Sequence, residues 1–227
     1  MKKLGFTLAE VLITLLIVGV VATLTTPALV KNVGSSKIGP QLSKFVNTWE
    51  TGIETMMMEE NVNKISSLDT TITDKFFRKL SKYIIMSSLK TVTSPSKISI
   101  ISPNGTELKT FSFNTDRVWQ LKDGTIIIYD NASSLPNGYY SGNNGAYTYS
   151  IASVYVDLGG IKGSHRVGKE VFAFLIDNTG VLVPYGSNAH KAMGKNIAES
   201  CNPSSNSLAP LLACTGAVAD NGWKAPW

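Results

Sequence analysis

The sequence predicts an α+β fold: a long N-terminal helix, transmembrane in its first half, packed on a small antiparallel β-sheet head that carries a C-terminal disulfide loop. Three observations carry this expectation. Residues 6–30 form an apolar run of 25 residues with one ionisable side chain, Glu10. Two stretches follow, 41–60 and 71–90, in which apolar residues recur three and four apart. After Pro95 the pattern shortens to branched and aromatic runs of strand length, separated by Gly, Asn and Asp.

The apolar run comes first. At ~1.5 Å per residue it makes a helix about 37 Å long, enough to cross a ~30 Å hydrocarbon layer. Lys2 and Lys3 in front of it, against Lys31 behind, bias the short front to the cytoplasm and the bulk of the chain to the other side. A secretory signal peptide would end in a small-x-small cleavage site, and Val20-Val21-Ala22 before Thr23 is a poor one. A carboxylate inside such a segment costs on the order of 2.5 to 3.5 kcal/mol at mid-bilayer, so Glu10 asks for a partner.

The stretch Lys3-Leu4-Gly5-Phe6-Thr7-Leu8-Ala9-Glu10-Val11-Leu12-Ile13 resembles the class III leader of type IV pilins and of type II secretion pseudopilins. Basic residues, a glycine, a phenylalanine and a glutamate four positions on all coincide, and Gly19 and Pro27 fall where the family often carries the same types. The resemblance implies that a membrane-embedded prepilin peptidase cuts after Gly5 and methylates the new amine of Phe6. It divides the chain into a leader peptide (1–5), a transmembrane and assembly helix (6–30) and a pilin-like globular head (31–227). It further implies a single-pass protein of the cytoplasmic membrane with its head outside the cytoplasm. That protein would join copies of itself or related pilins in an envelope or surface filament, on an inner-membrane assembly platform. The electrostatics agree: the charged amine of Phe6 and the Glu10 carboxylate of a neighbouring subunit, each expensive in lipid, become a paired site when helices pack. Gly5 would serve the peptidase as a small residue at the cut.

Further along, Pro27 should loosen the helix, and Thr23, Thr25 and Thr26 can bond back to carbonyls or meet a neighbouring helix. At 34–40, with two glycines and a proline, local propensity argues for a kink or a short interruption before helix resumes near Gln41, whereas the pilin resemblance implies that the helix continues into the head. From there Leu42, Phe45, Val46, Trp49, Ile53, Met56 and Met57 share one face that packs on the head. The Met56-Met57-Met58 run reads as core filler, since no Cys or His lies near enough to make it a soft-metal site. A second helix over 71–90 places Ile72, Phe76, Phe77, Leu80, Ile84 and Ile85 inward and gives Lys75, Arg78, Lys79 and Lys82 a basic side. Strands are expected at 97–101, 108–113, 118–121, 125–129, 147–157 and 170–176. Lys122-Asp123-Gly124 and Asp177-Asn178-Thr179-Gly180 form hairpin turns, the second leading into 181–183. Residues 131–145 read as a loop with Tyr139 and Tyr140 on its surface.

The segment Val156-Asp157-Leu158-Gly159-Gly160-Ile161-Lys162-Gly163, with Gly168-Lys169-Glu170-Val171-Phe172-Ala173-Phe174, resembles a segment of pilin-like heads. Glu170 stands where aspartate is usual, and His165-Arg166 replace less basic residues. Some pseudopilins hold calcium, for which Asp157, Asp177 and Asn178 could supply oxygens, but these residues read first as turn caps; no cofactor is otherwise expected. Cys201 and Cys214, even in number and placed outside the cytoplasm, read as a disulfide around a 14-residue loop without regular pattern. The pilin resemblance implies the same bridge. Trp223 and Trp227 should pin the tail to the head.

The chain carries no G-x-S-x-G, H-E-x-x-H or Walker loop, and no enzyme is expected. His165 and His190 read as solvent-facing loop residues. A formal charge of +5 is too small to establish nucleic-acid binding. The functional expectation is a structural filament subunit, either pilin or pseudopilin. The alternative is a minor pilin whose basic face at Lys75, Arg78, Lys79 and Lys82 contacts DNA or a surface.

Overall fold

The computed structural model describes residues 7–65, 74–89, 96–113, 118–130, 152–177, 179–192 and 200–226. Gly5, Phe6, Ile72, Asn178, Trp227 and the loop 131–145 lie outside them. Two compact units are present, Met1–Lys37 and Ile38–Trp227. One helix, α1 (Leu8–Glu59), contributes to both.

In the first unit, Leu8–Thr25 is long and apolar enough to span a membrane, and none of it is buried within the protein. Its hydroxyls are satisfied internally. Thr14, Thr23 and Thr25 donate to the carbonyls of Val11, Val20 and Val21 at 2.8–2.9 Å, hiding polar hydrogens that lipid could not solvate.

The interruption that local propensity suggested at 34–40 does not occur, and helix continues through these positions as the resemblance implied. In the head unit the reason is tertiary packing, which outweighs local propensity. Ile38 is already part of the core, and Gly39 is covered by the C-terminal tail. A Cβ at Gly39 would fall 1.5 Å from the carbonyl oxygen of Trp223, so the glycine serves a close approach of two backbones rather than a break.

The head is layered. A six-stranded antiparallel sheet has the order β1-β4-β5-β6-β7-β8, formed by β1 (Met86–Ser88), β4 (Val118–Leu121), β5 (Ile126–Asp130), β6 (Ala152–Asp157), β7 (Val171–Ile176) and β8 (Leu182–Pro184). A separate antiparallel pair comprises β2 (Lys97–Ile101) and β3 (Glu107–Ser112). On one face of the large sheet, Leu42, Phe45, Trp49, Ile53 and Met56 of α1 meet Trp119, Ile127, Val154, Val156, Phe172 and Phe174. On the other, Ile98, Ile100 and Phe111 of the β2–β3 pair and Leu211 and Leu212 meet Ile126, Ile128, Tyr155, Val171, Ala173 and Leu175. Strand β7 is therefore buried at every position, which explains its unbroken apolar sequence.

Trp49 is the centre of the first layer. It is fully buried, stands 6.2–6.3 Å from Phe45, Phe76 and Phe77 by ring centroid, and donates its indole N–H to Gly180 O at 2.9 Å. Gly180 lies in the β7–β8 turn with φ +89°, and Asp177 caps that turn by accepting from the N–H groups of Thr179 and Val181.

Three further expectations need correction. The second helix is only α2 (Asp74–Leu80); a turn and β1 replace its second half, and Ile85 is 70% exposed instead of inward. The methionine run is core at Met56 alone, since Met57 is half-buried and Met58 exposed. The disulfide loop contains α4 (Leu208–Leu212), with Pro210 tolerated in its first turn, and leads into α5 (Cys214–Asp220). The bridge Cys201–Cys214 is formed.

Gly39→Ala should lower head stability by about 1–3 kcal/mol, the usual cost of overpacking. Gly19→Ala, whose Cβ meets nothing within 4 Å, should leave it unchanged. Denaturant unfolding of the detergent-solubilised full chain, followed by tryptophan fluorescence, measures both.

Candidate functional site

The first turn of α1 is built as a reciprocal cap. Thr7 donates both its backbone N–H and its hydroxyl to Oε2 of Glu10 at 2.9 Å, and the Glu10 N–H donates back to the Thr7 hydroxyl at 3.3 Å. This is the T-x-x-E capping box. The one acid of the apolar stretch thus satisfies a backbone donor at the positive end of the helix dipole. Its second oxygen, Oε1, takes no hydrogen bond among the described residues. The role of Thr7 was missed in the sequence, although a threonine three residues before a glutamate, ahead of an apolar run, is the signal that finds it. Gly5 and Phe6, just upstream, lie outside the described residues.

The head's candidate residues are spread apart. Asp157, fully buried at the end of β6, accepts the Gly159 N–H at 2.9 Å and pairs with Nδ1 of His165 at 2.5 Å. Backbone pairing of His165 and Val167 with Ile101, and an Arg166 guanidinium bond to Pro103 O, then hold the 158–170 loop to the end of β2. Asp177 lies in the β7–β8 turn, its Oδ1 taken by Thr179 and Val181. Among the described residues no group of three His, Cys, Asp or Glu side chains is placed to hold a metal ion. On the basic side, Lys75, Arg78 and Lys82 are exposed, while Lys79 is bound to Glu60 at 2.6 Å, across to the end of α1. Lys82 follows α2 rather than belonging to it.

Residues 1–26 match the family model for the prokaryotic N-terminal methylation motif. Over these residues the chain is similar to proteins that carry this motif. The match covers the leader and most of the membrane span, and the head is an antiparallel sheet with α1 across it and a C-terminal disulfide loop. No curated protein and no solved structure matches the chain. The matched motif is one of N-terminal methylation, and it overlaps the segment Leu8–Thr25 that is long and apolar enough to span a membrane. The motif implies handling by prepilin peptidase.

Both histidines of the head are away from solvent, contrary to expectation. Gly- and Ser-rich flanks suggested exposed loops, but His165 is only 16% exposed and His190, in α3 (Asn188–Ala192), only 1%. Nδ1 of His190 accepts the Gly186 N–H at 2.9 Å. Their titrations oppose each other. The hydrogen bond to Asp157 raises His165 above 6.5, against burial and with help from the charges of Asp157 and Glu170. Burial, with the Lys191 charge, lowers His190 to about 4.

The pH dependence of stability follows. The His165 contribution is complete below about pH 6.5 and is lost as pH rises through its folded value. The unfolded chain binds a proton at His190 between about 6.5 and 4 that the folded chain does not, so stability is lost as pH falls through that window, by on the order of 3 kcal/mol. Unfolding midpoints between pH 4 and 9 should therefore peak near 6.5. His165→Asn should flatten the alkaline side alone, and His190→Gln the acid side alone.

Proposed function

We propose that this chain polymerises, after cutting at Gly5 and methylation on Phe6, into a helical filament of the cell envelope or surface, as a type IV pilin or a type II secretion pseudopilin. The Thr7–Glu10 cap carries the reading. It holds a carboxylate at the head of a lipid-exposed helix with one oxygen open among the described residues, four residues beyond the amine that cleavage creates. Lipid offers that oxygen no donor, whereas in a bundle the Phe6 amine of a neighbour supplies a charged one. Charge pairing then sets the axial register of the helices. The disulfide loop favours the pilin over the pseudopilin form, because such bridges suit a surface exposed to an oxidising medium.

Mass spectrometry of the membrane-extracted chain should find an N-terminus at Phe6 carrying one added methyl. A start near Thr23, or a retained Met1 in peptidase-positive cells, sinks the processing step.

Glu10→Ala and Glu10→Leu should both insert normally yet enter sheared filaments about tenfold less, as expected for a charge left without its partner. Thr7→Val separates pairing from capping. The cap is made in free and assembled subunits alike, so its loss should leave incorporation near wild type. An equal defect in Thr7→Val would assign Glu10 to capping alone.

A further inference from the structure

Among the described residues of the head, three large apolar side chains are left to solvent: Met58 at 81%, Ile85 at 70% and Val181 at 43% exposed. They are not scattered. Met58 and Val181 line one open groove with Glu54, Met57 and Val62. Ile85 lines another with Phe45, Leu121, Lys44 and Lys122. The strand order separates the two. Val181 leads into β8 at one edge of the six-stranded sheet, and Ile85 leads into β1 at the other, so the grooves flank α1 on opposite sides.

They are also unlike in charge. Glu54 stands one turn from Glu50 on α1, and no lysine or arginine among the described residues pairs with either. Burial and the neighbouring Glu54 charge push the Glu50 carboxyl up, the mark of an acidic pair without a counter-ion. In the opposite groove Lys44 is neutralised by Asp123 at 2.8 Å, which leaves Lys122 as the surplus cation. One flank is apolar and acidic, the other apolar and basic.

We infer that the Glu54–Met58–Val181 flank of one copy docks on the Ile85–Leu121–Lys122 flank of the next, resting on the filament reading above. The occupant is a second copy because the two surfaces complement each other in both charge and apolar character while belonging to one chain. Such a contact is heterologous, and it does not close on itself unless the rotation happens to make a ring. The grooves are also offset along α1. Lys44 and Glu54 are ten residues apart, roughly 15 Å of helix rise, so each docking step moves the next head along the axis and builds a helical array.

The test uses the full chain in cells that assemble it. Met58→Cys together with Ile85→Cys should give, on oxidation of filaments, a ladder of dimers, trimers and higher species, whereas either cysteine alone should give none. Glu54→Lys and Lys122→Glu should each cut incorporation about tenfold, and the two together should restore it to within about twofold of wild type. All four positions lie at the surface, so the substitutions spare the core. Filaments that form without the ladder, dimers as abundant from Met58→Cys alone, or a double swap no better than the single ones would each overturn the inference while leaving the filament reading intact. A wild-type chain that never enters filaments would sink both.

Discussion

The head depends on the burial of one face of α1 from Ile38 to Met56. That face brings Trp49 to the middle of the large sheet, where the indole is packed by aromatic rings and its N–H is bonded to Gly180 O. A buried indole without that acceptor would leave an unsatisfied donor worth about 1–3 kcal/mol, so the β7–β8 turn must present a carbonyl at this point. Gly180 provides it, in a conformation that few other residues adopt, and Asp177 fixes the turn around it. The order β5-β6-β7-β8 follows as the arrangement that lays the apolar strands under the helix and brings their last turn to its side.

Where chemistry and pattern coincided, the fold was readable before any coordinates. The apolar run and its single acid stood out because lipid tolerates so few alternatives, and β2, β4, β5 and β7 were found from branched and aromatic runs bounded by turn residues. β1 was lost because Tyr83-Ile84-Ile85-Met86 continues the apolar spacing of α2, and nothing local shows that Ile85 faces out. The helices α4 and α5 were hidden by Pro210 and by short apolar or small residues that carry no periodicity over so few turns. The second cover of the sheet was likewise invisible, since the β2–β3 pair reads as two more strands of one sheet until the register separates them. Of the candidate site, Glu10 was legible from its cost in lipid. Its local partner Thr7 is less legible, because a threonine beside an apolar run can equally bond back to a carbonyl, as Thr14, Thr23 and Thr25 do.

The C-terminal elements solve a different problem. Strand β8 is three residues long and leaves the first half of β7 without a full partner strand. The gap is filled from elsewhere. The Thr215 hydroxyl accepts from Ala173 N–H, Ala173 O accepts from Tyr185 N–H, and Tyr185 O accepts from Gly216 N–H. The start of α5 thereby covers an edge that would otherwise present free backbone groups to other chains. The disulfide lies at that same point, since Cys214 is the first residue of α5.

The crossing of the tail over Gly39 also has a meaning in time. Trp223 and Lys224 follow the last helix of the head, and Gly39 is nearly the first residue of the head. Their contact spans almost the whole head, the kind of pairing that forms late because so much chain entropy must first be lost. A ribosome-bound chain cannot make it while its end is still in the exit tunnel. The start of the head therefore receives its clasp only after Trp223 has left the tunnel, and a chain that stops short of Trp223 lacks the piece that fastens the two ends of its head together.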